Sequence, residues 1–94
     1  MTQTVWKFPF AIADEFVVRL PRGARVLHVG VQGAAPEFGL IGTPTFWALV
    51  TPDAPAEDVA FAVRGTGHDC AGLTEHCGSF FYGPLVFHLF RRVP

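Results

Sequence analysis

Two glycines, a hydroxyl, an imidazole and a carboxylate fall together in Arg64-Gly65-Thr66-Gly67-His68-Asp69, at the end of an alternating apolar segment. Glycine lets a backbone adopt positive φ and come close to a ligand. Loops held by strands are where binding groups are usually carried. The chemistry such a loop offers is recognition of an anionic ring compound. Arg64 pairs with a phosphate, the Gly65, Thr66 and Gly67 backbone approaches it, and His68 meets a base. Trp6 and Lys7 form a second candidate pair, an aromatic to stack on a flat ring beside a cation to hold a phosphate. The competing reading has Trp6 sealing the open end of the core. Gly65-Thr66-Gly67 is not a phosphate-binding P-loop, which needs a longer spacing, a lysine and a following helix.

Catalytic and metal chemistry find less support. His68-x-Cys70 and His76-Cys77 are the candidate metal pairs. Structural zinc sites space their ligands as C-x2-4-C and H-x3-5-H, because one tight turn must point both ligands at one ion. Neither spacing is present, and adjacent strand residues point to opposite faces. No metal or other cofactor is expected. Ser79 sits in Cys77-Gly78-Ser79-Phe80, not in a nucleophile elbow. Cys70 with His68 or His76 has the composition of a thiolate–imidazolium pair but no third, orienting group. No catalytic residue is assigned and no enzyme is expected. His88 lies in an apolar run and reads as a core or interface histidine bonded to backbone.

The elements that must position these groups are strands. Phe16/Val18/Leu20, Leu27/Val29/Val31, Val59/Phe61/Val63 and Leu85/Phe87/Leu89 each recur at every second position. A period of two in short runs rich in Val and Phe predicts β-strand. Trp6 to Phe10, Phe46 to Val50 and Ser79 to Tyr82 are three further apolar runs. The prediction is one all-β domain over residues 1–94, a small barrel or sandwich of about seven short strands with little or no helix. Pro9 marks the first run as an edge strand. Pro21-Arg22-Gly23 and Gly83-Pro84 read as turns, Gly33 to Pro44 as a long surface loop, and Ala56-Glu57-Asp58 as a single helical turn.

Seven Lys+Arg stand against eight Asp+Glu, so no broad basic face for duplex nucleic acid or a membrane surface is indicated. No run approaches the ~18 apolar residues of a membrane helix. The N-terminal residues lack the charged and apolar regions of a signal peptide, so a cytoplasmic chain with Cys70 and Cys77 reduced is expected. Ten Phe in 94 residues is a heavy aromatic load. A small domain buries a limited share of its surface, so part of that load is expected to face a second copy in a homo-oligomer.

Several segments together resemble a family of small uncharacterised tailed-phage and prophage proteins. They are Trp6-Lys7-Phe8-Pro9, Leu20-Pro21 through Gln32, Phe46-Trp47-Ala48-Leu49-Val50 with Pro52-Asp53-Ala54-Pro55, Gly65-Thr66-Gly67-His68, and Leu85-Val86-Phe87-His88-Leu89-Phe90. The chain departs from that pattern in its longer Gly33 to Pro44 loop and in the Cys70 to Cys77 segment. The resemblance implies a phage product acting inside an infected bacterium. By analogy with small phage proteins that blunt host defence, it suggests a sponge that sequesters a nucleotide-type immune second messenger without cleaving it. The alternatives are a module that blocks a host protein through a strand edge or Phe-rich patch, and a hydrolase of such messengers using His68 with Cys70 or Asp69.

Overall fold

In the computed structural model, which describes residues 2–93, the chain is all-β. Seven strands follow in order: β1 (Thr4–Pro9), β2 (Glu15–Pro21), β3 (Arg25–Gln32), β4 (Thr43–Val50), β5 (Ala56–Gly65), β6 (Glu75–Tyr82) and β7 (Leu85–Arg91). They form two antiparallel sheets, one of order β1-β4-β3 and one of order β2-β5-β7-β6. The predicted all-β fold is therefore present, and of the two expected forms, barrel or sandwich, it is two separate sheets.

The alternation decides which side of each strand is buried. In the three-stranded sheet Phe46, Ala48 and Val50 face inward; in the four-stranded sheet Leu20, Val59, Phe61, Val63, Phe80 and Leu89 do so. Phenylalanine rings bind the two layers. Phe8 stacks on Phe46 at 5.1 Å, Phe46 meets Phe61 at 4.9 Å, and Phe61 meets Phe16 at 5.5 Å. The series continues from Phe16 to Phe10 at 5.0 Å, from Phe10 to Phe80 at 5.8 Å, and from Phe80 to Phe87 at 5.8 Å. Aromatic pairs at such separations add to the burial term. The domain's own interior thus uses seven of the ten Phe, leaving Phe38, Phe81 and Phe90 outside this ladder.

The sheets approach most closely where edge strands β3 and β6 pack side by side. Gly78 makes this approach feasible: a Cβ there would stand 2.6 Å from Val29 Cγ1. Phe10 lies between the sheets, against Phe46 of one and Phe80 of the other, its N–H donating to the Pro44 carbonyl at 2.9 Å. β1 is an edge strand, as Pro9 predicts.

Three local expectations change. Ala56-Glu57-Asp58 opens β5 rather than forming a helical turn. Those residues pair with β2, and Arg19 holds Asp58 at 3.1 Å, so strand pairing overrides the local helical preference. β6 begins at Glu75, earlier than the apolar run, because an irregularity in pairing around Cys77 breaks the period of two. The loop expected from Gly33 to Pro44 ends at Gly42, because Thr43 and Pro44 pair with β3 and open β4, and it contains a short 3₁₀ turn, Pro36–Phe38, with Ala35 and Leu40 bridged across it.

Candidate functional site

β5 ends in a tight turn that carries the predicted loop. The His68 N–H donates to the Gly65 carbonyl at 3.1 Å, with Thr66 and Gly67 between them and Gly67 at φ 90. A glycine at the third position of such a turn takes that positive φ without steric cost. The Thr66 N–H donates to the Val86 carbonyl at 3.2 Å and ties the turn to β7. Across from it, Tyr82 and Leu85 pair around a two-residue turn, Gly83-Pro84. Between the two turns lies a groove of about 400 Å³ lined by Gly65, Thr66, His68, Pro84, Leu85, Val86 and Phe87. That volume is in the range of small-molecule sites. Gly65 lies under the imidazole: a Cβ there would stand 3.0 Å from His68 Cε1.

Of the seven residues expected to bind ligand, Gly65, Thr66 and His68 line this groove, and Gly67 shapes the turn beside it. Arg64 is engaged elsewhere. Its Nε donates to the Asp69 carbonyl at 3.1 Å, and one terminal nitrogen donates to the carbonyls of Asp14 at 2.7 Å and Val63 at 3.0 Å. The guanidinium fastens two loops to the sheet instead of lining the groove. Trp6 and Lys7 lie on β1 in the other sheet. They also face opposite ways, as successive strand residues must. Trp6 shares its side with Phe8 and buried Ala48, at the open β1 edge, and is 41 % exposed. Lys7 faces outward and donates to Gln32 Oε1 at 3.0 Å.

The sequence reading missed a polar chain that begins at the same loop. Thr66 Oγ1 is 2.8 Å from His88 Nε2, His88 Nδ1 is 2.7 Å from Ser79 Oγ, and Ser79 Oγ is 3.2 Å from His76 Nε2. The strands β5, β7 and β6 carry it across the outer face of the four-stranded sheet. Hydroxyls and imidazoles each donate and accept, so the direction of the chain follows the tautomers of His88 and His76. With the proton of His88 on Nε2, Thr66 Oγ1 accepts from it and turns its own hydroxyl to the Val86 carbonyl, 3.4 Å away. His88 Nδ1 then accepts from the Ser79 hydroxyl, which accepts from His76 Nε2–H. His88 is half-buried and bonded to side chains, not to backbone as expected from its apolar run.

Nucleophile geometry is sparse around His68. The Cys70 thiol donates to the His68 carbonyl, not its ring, at 3.5 Å, and Asp69 Oδ1 accepts the Ala71 N–H at 2.9 Å. Both cysteines are unbridged. Cys77 packs against the core, and burial pushes its thiol up to about 11. A larger groove of about 670 Å³ is lined by Glu57, Asp58, Glu75, Arg91 and Arg92 among others. There Arg91 donates to the Ala24 carbonyl and Arg92 is paired with Glu15, so its carboxylates disfavour an anion. Among the described residues no helix is long and apolar enough to cross a membrane.

No curated protein and no solved structure matches the chain. The profile of the family described as Domain of unknown function (DUF7352) matches residues 1–94, the whole length, and the chain therefore belongs to that family.

Proposed function

We propose that the protein is a small non-catalytic binding module that holds a nucleotide-type molecule intact in the groove between the Gly65–His68 turn and the Gly83-Pro84 turn. The observation that carries this reading is the convergence of Gly65, Thr66 and His68 on one groove with an apolar wall. Pro84, Leu85, Val86 and Phe87 offer a surface for a flat ring. The His68 imidazole offers hydrogen bonds to polar or phosphate atoms, and the Thr66 hydroxyl a remaining lone pair to a ligand donor. Arg64, Trp6 and Lys7 have no part in this site. Sequestration of an immune messenger inside an infected bacterium, by a homo-oligomeric phage protein, belongs to the same proposal and rests on the sequence resemblance. Phe38, Leu40, Ile41 and Phe81, all exposed, support the oligomer.

The test is capture and release. The full chain is mixed with a panel of mono-, di- and cyclic nucleotides, freed of unbound ligand, heat-denatured, and the supernatant analysed by mass spectrometry. The proposal expects one nucleotide class recovered unaltered, and its loss in His68→Ala. An altered nucleotide indicates a hydrolase and contradicts the proposal. Recovery of nothing contradicts it too, and favours the second reading, a module that blocks a host protein through its apolar end. The depression of about 380 Å³ among Val31, Pro36, Leu40, Ile41 and Phe81 supports that reading.

A further inference from the structure

We infer that His76 and His88 form a two-imidazole site for a divalent transition-metal ion of the Zn²⁺ or Ni²⁺ class. The two residues lie twelve positions apart, and the pairing of β6 with β7 brings them together on one outer face. Their ring centroids are 6.2 Å apart. His76 Nε2 and His88 Nδ1 are both aimed at one atom, Ser79 Oγ, at 3.2 Å and 2.7 Å. Two ring nitrogens converging from neighbouring strands on a small rotatable hydroxyl are arranged to converge on an ion once that hydroxyl swings aside.

His88 is prepared as a ligand. In the tautomer with its proton on Nε2, that N–H is held by Thr66 Oγ1 at 2.8 Å and the Nδ1 lone pair is directed at the shared point. A hydrogen bond on the far ring nitrogen is the usual support of a ligating histidine, because it fixes tautomer and orientation. His76 is exposed, so exchange of its ring proton through water frees the Nε2 lone pair. The cation nearest in register is Arg64, opposite His88, and its guanidinium is drawn toward the carbonyls of Asp14, Val63 and Asp69. Among the described residues no group of three His, Cys, Asp or Glu surrounds the pair. Water therefore completes the coordination, and the ion exchanges readily. Imidazole donors select zinc, nickel or copper over magnesium and calcium, which take oxygen ligands.

The site is separable from the nucleotide groove, with which it shares only Thr66. Titration calorimetry of the full chain with Ni²⁺ at neutral pH, in a non-coordinating buffer, tests it. The expected result is one Ni²⁺ per chain, weakened about tenfold or more in His76→Ala. His76 is exposed, so this variant keeps its fold. His68→Ala, on the separate turn, is expected to bind Ni²⁺ as the native chain does. Absence of Ni²⁺ binding, equal binding by native protein and His76→Ala, or an equal loss in His68→Ala would overturn the inference.

Discussion

Arg64 shows how a side chain expected to hold a phosphate is engaged by the fold itself. Its composition and place beside two glycines suggest phosphate, but its donors are taken by the carbonyls of Asp14, Val63 and Asp69. Asp14 and Asp69 lie on two separate loops and Val63 on β5, and no local pattern names the two loop acceptors. Arg64→Ala is expected to lower stability by about 1–3 kcal/mol, the cost of removing a charged donor from several acceptors. It leaves nucleotide capture unchanged; a thermal melt and the capture assay check both halves. Cys77 makes a second case. Its thiol, ordinarily near 9.0, is pushed up to about 11, first by burial. Between those values the unfolded chain has lost this proton and the folded chain has kept it. Stability from this group is therefore full below about pH 9 and falls as pH rises toward 11. At pH 8 a maleimide or iodoacetamide is expected to label Cys70 well before Cys77. Equal rates in the native protein would contradict the burial of Cys77.

Strands were legible because each buried side recurs at every second residue, as in Phe16/Val18/Leu20 and Val59/Phe61/Val63. Turns at Pro21-Arg22-Gly23 and Gly83-Pro84 were equally legible from their residues. The second turn held more than was taken from it. Counting back from a two-residue turn places Ser79 opposite His88, the register observed. His76 was beyond such counting, because the pairing shifts between His76 and Gly78. Where β5 begins was hidden for a different reason: Ala56, Glu57 and Asp58 are extended because β2 lies beside them. The β3–β6 seam belongs to this scale as well. Gly78→Ala would put a methyl 2.6 Å from Val29 Cγ1, so the strands must part or shift. The expected cost is about 1–3 kcal/mol, typical of overpacking. Adding Val29→Ala removes the opposing methyl, so the double variant is expected to lose less than the two single losses combined. Chemical denaturation of the three variants measures this, and simple additivity would contradict the close seam.

At the scale of the molecule, two sheets enclose a phenylalanine ladder and display different chemistry on their outer faces. The three-stranded sheet presents Lys7, His28, Gln32 and Trp47; the four-stranded sheet presents the Thr66–His88–Ser79–His76 chain. The surplus aromatic load is smaller than composition alone implies, because the interior takes most of it. Of what is left, Phe81, 72 % exposed, lines one depression with Leu40 and Ile41, and Phe38, 78 % exposed, lies on the 3₁₀ turn between its lining residues Pro36 and Gly39. Burial of this apolar end in a homo-oligomer is the expected outcome. Light scattering at micromolar concentration should give a multiple of the 10.2 kDa chain mass, and Phe81→Ser should reduce it. A monomer mass for the native protein would contradict the oligomer. An ¹H–¹⁵N spectrum followed through titration with the captured nucleotide locates the proposed binding groove residue by residue. Shifts are expected to concentrate at the amides of Gly65 to His68 and of Leu85 to Phe87, with those of Trp6 and Lys7 unmoved. Shifts centred on β1, or none in the Gly65–His68 turn, would contradict it.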